Sequence, residues 1–228
     1  MYKMKALILP VTVLVVALAS AGCTSPAPTT PTSEPNGELP AVEIREYEGE
    51  NLSSINDFRE NSIRGPQHVD IADYRLAVHG LVDNEASYSY DDILSSFPSF
   101  KKVVSLYCVE GWDVTLLWEG ILLKDLFDEV GVLPDANTVI FRSVDGYSTS
   151  LPLDYIVDND LLLAYKMNEV TLPPERGFPF ELVAESKWGY KWIKWVNDIE
   201  LSDDPSFKGY WEAFGYSNDG SLDKSFFD

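Results

Sequence analysis

A single thiol at the end of an apolar run carries the most distinctive chemistry in this chain. Val103-Val104-Ser105-Leu106-Tyr107 leads into Cys108-Val109-Glu110-Gly111-Trp112, so the cysteine stands where a strand turns into a Gly-containing loop. A thiolate in such a place serves as a soft metal ligand, as a nucleophile, or only as a small buried residue. The second unusual segment is Lys187-Trp188-Gly189-Tyr190-Lys191-Trp192-Ile193-Lys194-Trp195, in which three cations fall within eight residues among four aromatic rings. In an acidic protein this reads as a pocket for an anion attached to a flat ring system, or else as an exposed amphipathic strand. The histidines, His68 and His79, lack the spacing of a metal pair and there is no Cys-x-x-Cys, so a zinc site is not expected. A Cys-His nucleophilic enzyme rests on Cys108 alone. No Gly-rich phosphate loop and no Gly-x-Ser-x-Gly elbow is present.

The elements that must position these residues are short. Tyr74 to Val78 alternates and ends at His79-Gly80, a strand and a turn. Ser89 and Asp92 form a capping-box pattern opening a helix through Phe97, with Pro98 beyond it. Leu122, Leu123, Leu126, Phe127 and Val130 repeat at helical spacing before Gly131. Thr138 to Ser143 is a strand leading into the turn Asp145-Gly146-Tyr147. Leu161 to Met167, Phe180 to Ala184 and Trp192 to Leu201 are further strands. Strands outnumber helices without regular alternation, which predicts an α+β domain dominated by β-structure.

The first 22 residues read as an export signal: Lys3 and Lys5, an apolar stretch from Ala6 to Leu18, then Ala19-Ser20-Ala21-Gly22 before Cys23. Small residues directly before a cysteine resemble a lipoprotein signal, with Cys23 lipidated and anchored to the outer face of the cytoplasmic membrane. An uncleaved N-terminal anchor is the other reading. Residues 23–41 are rich in Pro, Thr and Ser and form a tether, and 42–228 form one domain. Without the two signal lysines, 15 of the 17 basic residues face 37 acidic ones, a formal net charge of −22. Nucleic acid and anionic lipid are poor partners for such a surface. With Cys23 committed, Cys108 has no disulfide partner.

Cys-Val-Glu-Gly-Trp, followed by Trp118-Glu119-Gly120 and Leu123-Lys124-Asp125-Leu126, resembles the sulfite-oxidase-fold molybdopterin domain, and within it the catalytic subunit of the bacterial periplasmic methionine-sulfoxide reductase. The likeness runs from about Asn56 to Tyr216 and takes in Tyr74-Arg75-Leu76, Gly80-Leu81-Val82, Asp145-Gly146-Tyr147, Leu163-Ala164, Tyr210-Trp211 and Gly215-Tyr216. The resemblance implies that Cys108 is the thiolate ligand of molybdenum, beside the dithiolene of a single molybdopterin. Soft anionic sulfur suits such a metal, which keeps the thiol deprotonated. It implies further that Asn56, Arg59 and Glu60 hold the pterin and that Ser143, with Asp145 and Gly146, touches the cofactor. Trp192, Ile193 and Lys194 would grip its phosphate, with Lys187 and Lys191 extending the positive wall. Glu110 would orient the loop or relay protons, or is a structural carboxylate. Where the reductase has Asn this chain has Arg176, and where it has Arg this chain has Glu181. The cation is therefore expected to have moved five residues, with Arg176 facing the phosphate.

The expected activity is oxygen-atom transfer on a small sulfoxide or N-oxide, with electrons from a separate partner such as a membrane cytochrome or quinol-linked subunit. Sulfite fits less well, because Val109 to Leu117 contains no cation while Glu110 and Asp113 repel a dianion. True sulfite oxidases carry a β-sandwich dimerisation domain after this one, whereas only a short acidic tail follows Tyr216 here, so the resemblance implies a monomer. The alternative is a non-catalytic surface module that keeps the fold without the cofactor.

Overall fold

The computed structural model describes residues 42–227. The export signal, Cys23 and the tether lie outside the described residues. β1 (Glu46–Tyr47) and β2 (Glu50–Asn51) pair as a small ribbon. After an irregular stretch come β3 (Leu76–Gly80), β4 (Ala86–Tyr88), α1 (Tyr90–Ser96), β5 (Phe100–Tyr107), β6 (Asp113–Leu122) and α2 (Leu123–Val130). Next are β7 (Thr138–Ser143), β8 (Ser148–Pro152), α3 (Leu153–Asp158), β9 (Leu162–Met167), β10 (Val170–Thr171), β11 (Glu181–Val183) and β12 (Val196–Ser202). The domain is β-rich with short helices, as the sequence predicts.

Two larger sheets carry the fold. One runs β10-β9-β6-β5, with β11 also on β9, all antiparallel. The other runs β4-β3-β12-β7-β8 and is mixed, because β12 pairs parallel to β3 and antiparallel to β7. One continuous buried cluster draws on both: Leu76, Val78, Phe141 and Ile199 from the mixed sheet, Leu116, Trp118, Ile121 and Leu163 from the antiparallel one. At about 25 cal/mol per Å² of apolar surface, burial of this kind is the main term favouring the folded chain.

Local chemistry explains the elements the sequence predicts. Ser89 Oγ accepts the Asp92 backbone N–H at 3.1 Å while the Asp92 carboxylate accepts the Ser89 N–H at 2.8 Å, a complete capping box. Leu123, Leu126, Phe127 and Val130 bury one face of α2, and Gly131 ends it in the left-handed region at φ 70°. Several strands escape the sequence reading, among them the short β1, β2, β4 and β10 and the longer β6 and β8. β6 is buried on both faces from Leu116 to Leu122, so its apolar run has no alternation to read. β8 is a short Ser/Thr stretch whose register comes from β7.

The segment from Trp192 to Leu201 is a strand only from Val196; the residues before it turn. One of the two predicted alternatives for Lys187 to Trp195 is thereby excluded. The segment is no exposed amphipathic strand: a 3-10 turn at Gly189–Lys191 folds it inward, and Trp192, Ile193 and Trp195 are buried.

Candidate active site

Cys108 opens the hairpin loop between β5 and β6. The ladder's last pair is Tyr107 with Asp113. Beyond it the Cys108 backbone N–H donates to the Trp112 carbonyl at 2.9 Å, and the Gly111 N–H donates back to the Cys108 carbonyl at 3.0 Å. Gly111 has φ +85°, a conformation that a side chain resists, and this is why the motif carries glycine there. The loop fixes the Cys108 thiol at the wall of a cavity of about 400 Å³, which Leu106, Val109, Glu110 and Trp112 also line.

The opposite walls come from loops of both sheets. Tyr107 bridges Trp188 in parallel, so the Lys-aromatic turn runs directly past the cysteine. A Cβ on Gly189 would sit 3.2 Å from the Tyr107 carbonyl oxygen and 3.6 Å from the Cys108 Cα, and the missing side chain allows that approach. Phe58 to Ile63 supply a third wall; Asp145 and Tyr147, between β7 and β8, a fourth; Arg176 and Glu181 the floor beside Lys194 and Trp195. Trp211 and Tyr216, after β12, complete the lining.

The predicted site residues divide accordingly. Cys108, Glu110, Arg59, Glu60, Asp145, Arg176, Trp192 and Lys194 line the cavity. Asn56, Ser143, Gly146, Lys187, Lys191 and Ile193 do not. Asn56 is exposed, and its backbone N–H donates to Ser54 Oγ at 3.2 Å. Ser143 turns its hydroxyl to Asp145, which also accepts the Tyr147 N–H at 2.9 Å and so shapes the turn from within. Gly146 sits in that turn at φ +88°. Ile193 is fully buried and its carbonyl accepts the Leu182 N–H at 2.9 Å, joining the turn to β11.

The expected positive wall of Lys187 and Lys191 is corrected by their partners. Lys191 and Glu212 form an ion pair at 2.6 Å with both side chains at 0% exposure, and the lysine also donates to the Asn218 carbonyl at 3.0 Å. Lys187 pairs with Asp219 at 2.8 Å and stacks over Tyr155 at 4.4 Å. Both lysines secure the C-terminal segment. Removing one member of a fully buried pair strands the other charge, at a cost of about 3–5 kcal/mol.

Arg176 is likewise occupied, and it does not present a free guanidinium to an anion as expected. Its Nε donates to the Ile55 carbonyl at 2.9 Å, Nη2 to Phe58 at 2.7 Å and Nη1 to Arg59 at 3.2 Å, with the guanidinium 3.7 Å over the Phe58 ring. It clamps the loop forming the third wall. Lys194 holds Glu60 at 2.6 Å and lies 4.5 Å over the Trp195 ring. A phosphate entering here shares Lys194 with Glu60 or displaces it.

Around the thiol, polar groups converge. Asn61 Nδ2 lies 3.5 Å from the Cys108 sulfur and 3.3 Å from Glu110 Oε2. The same carboxylate oxygen accepts from Trp112 Nε1 at 3.3 Å and lies 4.0 Å from Arg59 Nη1. Burial pushes the Cys108 thiol up and the Glu110 carboxylate adds to the rise, against the Glu110 backbone N–H and the Asn61 amide. A bound metal cation overcomes that rise, since coordination deprotonates the thiol. Sequence reasoning missed Asn61, Ser62, Phe58 and Tyr147. The first three lie in an irregular stretch with no periodicity to mark them.

A molybdopterin fits this site. The cavity is within the roughly 300–1,000 Å³ of small-molecule pockets, and Ser62 Oγ on its wall is buried without a partner. Among the described residues no three His, Cys, Asp or Glu side chains form a metal cage. A metal beside Cys108 must therefore bring most of its own ligands, as a pterin dithiolene does.

Comparison with known proteins agrees. Residues 63–211 match the oxidoreductase molybdopterin binding domain, and the chain belongs to that family. It is a molybdenum-dependent oxidoreductase that binds molybdopterin. It is 34% identical over 152 residues to an uncharacterized oxidoreductase, YuiH, of Bacillus subtilis, covering 66% of this chain and 76% of that one. It is 26% identical over 228 residues to the protein-methionine-sulfoxide reductase catalytic subunit MsrP of Xanthomonas axonopodis pv. citri, covering 88% and 70%. Among solved structures, the sulfane dehydrogenase SoxCD of Paracoccus pantotrophus superposes with a TM-score of 0.58 at 25% identity, over 61% of this chain and 41% of that chain. Family membership sets aside the cofactor-free module.

Glu181 generates a pH prediction. Fully buried on β11, its carboxyl is pushed from 4.5 up to about 8 by desolvation, with Lys194 and Arg176 opposing. The folded state then holds a proton that the unfolded chain has released, so stability is full below about pH 4.5 and declines as pH rises toward 8. For one proton the slope is at most about 1.4 kcal/mol per pH unit. Thermal unfolding of the parent and of Glu181→Gln, from pH 5 to 8, should show the parent losing stability relative to the variant. Parallel curves would contradict the assignment.

Proposed function

We propose that this chain removes an oxygen atom from a neutral sulfoxide or N-oxide, outside the cytoplasm, with electrons supplied by a separate membrane-bound subunit. The observation carrying this reading is the cavity's charge. Its lining holds three cations, Arg59, Arg176 and Lys194, against three ionised acids, Glu60, Glu110 and Asp145, while burial keeps the Glu181 carboxyl protonated near neutral pH. Arg176 is spent on carbonyls, Lys194 on Glu60, and exposed Arg59 lies toward Glu110. That balance gives a dianion such as sulfite no net attraction. The rings of Phe58, Trp112, Tyr147, Trp211 and Tyr216 instead suit a neutral substrate with apolar substituents.

A molybdopterin held by Cys108, Trp192 and Lys194 would supply the two-electron redox chemistry. Two electrons and two protons turn a sulfoxide into a thioether and water. Cys108 would anchor the metal, the rings would orient the substrate, and Glu110, held by Trp112 and Asn61, would hand on a proton. The Xanthomonas relative's name, a catalytic subunit, supports a separate partner for electron delivery. The chain itself is read as a monomer.

The test is turnover by the holoenzyme with a reduced viologen dye. Dye oxidation by methionine sulfoxide or an N-oxide should be clear, and should fall to background in Cys108→Ala. Faster oxidation of sulfite than reduction of either acceptor would overturn the reading. The lipid anchor is tested separately. The parent should sediment with membranes and Cys23→Ala should not; an unchanged distribution would remove the lipid from the account.

A further inference from the structure

In the function as stated, the amide that bridges Cys108 and Glu110 only helps to hold the carboxylate, and its geometry gives it a second role at the sulfur. We propose that Asn61 is a positioning residue for the metal's thiolate ligand, whose side-chain N–H groups tie the Cys108 sulfur to the Glu110 carboxylate and set how strongly that sulfur donates to the metal. The inference rests on Cys108 being that ligand.

One carboxamide carries two N–H bonds on a single nitrogen. In the structure this nitrogen is 3.5 Å from the sulfur and 3.3 Å from Glu110 Oε2, so both acceptors are served by one group. Neither contact is accidental to a mobile side chain, because the loop bearing Asn61 is held from two directions. Arg176 binds the carbonyls of Ile55, Phe58 and Arg59. Lys194 binds Glu60, the residue directly before Asn61. The Phe58 ring packs on Trp112, the last residue of the cysteine loop, at 5.6 Å between centroids. The two loops are therefore fixed against each other, with the amide at their contact.

A hydrogen bond to a metal-bound thiolate draws electron density from sulfur and stabilises the reduced metal. The Glu110 carboxylate two residues away acts oppositely, since its negative charge raises the cost of adding an electron nearby. Asn61 touches both, donating to the sulfur and spreading the carboxylate's charge. An amide does not titrate, so its contribution holds across the working pH range. The five-residue motif alone thus leaves out a determinant of the centre's potential that lies 47 positions earlier in the chain.

The test is redox potentiometry of the purified holoenzyme, following the paramagnetic molybdenum state by electron paramagnetic resonance. Asn61→Ala should shift the equilibrium toward the oxidised metal by about tenfold, equivalent to about 59 mV for a one-electron couple. Asn61→Asp, nearly isosteric but acidic, should shift it further the same way. Asn61 is exposed, so both variants should keep the parent's melting temperature and metal content. An unchanged midpoint in a variant that retains molybdenum overturns the inference. So does loss of molybdenum from both variants with the fold intact, because the amide would then hold the cofactor and not tune the sulfur. Cys108→Ser separates this failure from that of the underlying reading: a parental potential in that variant would show that Cys108 is not the ligand at all.

Discussion

The site depends on a close approach between two backbones. The tip of the β5–β6 hairpin and the turn before β12 meet where Tyr107 pairs with Trp188 and Gly189 leaves room against the Cys108 Cα. The hairpin belongs to the antiparallel sheet and the turn leads into the mixed sheet, so their contact joins the two halves of the fold at the cavity. The thiol is placed by one, and Trp192 and Lys194 by the other. A Cβ at position 189 would meet the Tyr107 carbonyl oxygen at 3.2 Å, so the hairpin would have to give by a few tenths of an ångström at this contact.

Charge in this acidic chain is distributed by burial. Of the three lysines in the aromatic turn, two are buried against carboxylates of the C-terminal segment and one, Lys194, reaches the cavity. Arg176 serves backbone carbonyls. The cations that seemed from sequence to form an anion pocket therefore do two separate jobs. Some hold distant segments of the chain together, and few remain to meet a ligand. The result is a cavity lining with little net field.

Much of this was legible beforehand, for stated reasons. The cysteine motif announced a turn because glycine and a strand end are local signals. The capping box of α1 and the apolar spacing of α2 were equally local. The order of family motifs carried the cofactor. What could not be read was direction. Lys187, Lys191 and Lys194 are alike in sequence, and only the packing of residues 205–227 separates structural lysines from the one at the cavity. Asn61 was hidden for the same reason: its segment lacks regular structure, and a contact spanning 47 residues leaves no periodic trace. β6 was missed because a strand buried on both faces has no alternation.

The central claim is that the cavity beside Cys108 holds a molybdenum cofactor. Its most direct test is molybdenum per polypeptide, by elemental analysis, after production of the full chain in a host that makes molybdopterin. The account predicts about one metal per chain, as in any single-site cofactor enzyme. A folded protein that leaves such a host without molybdenum would contradict it.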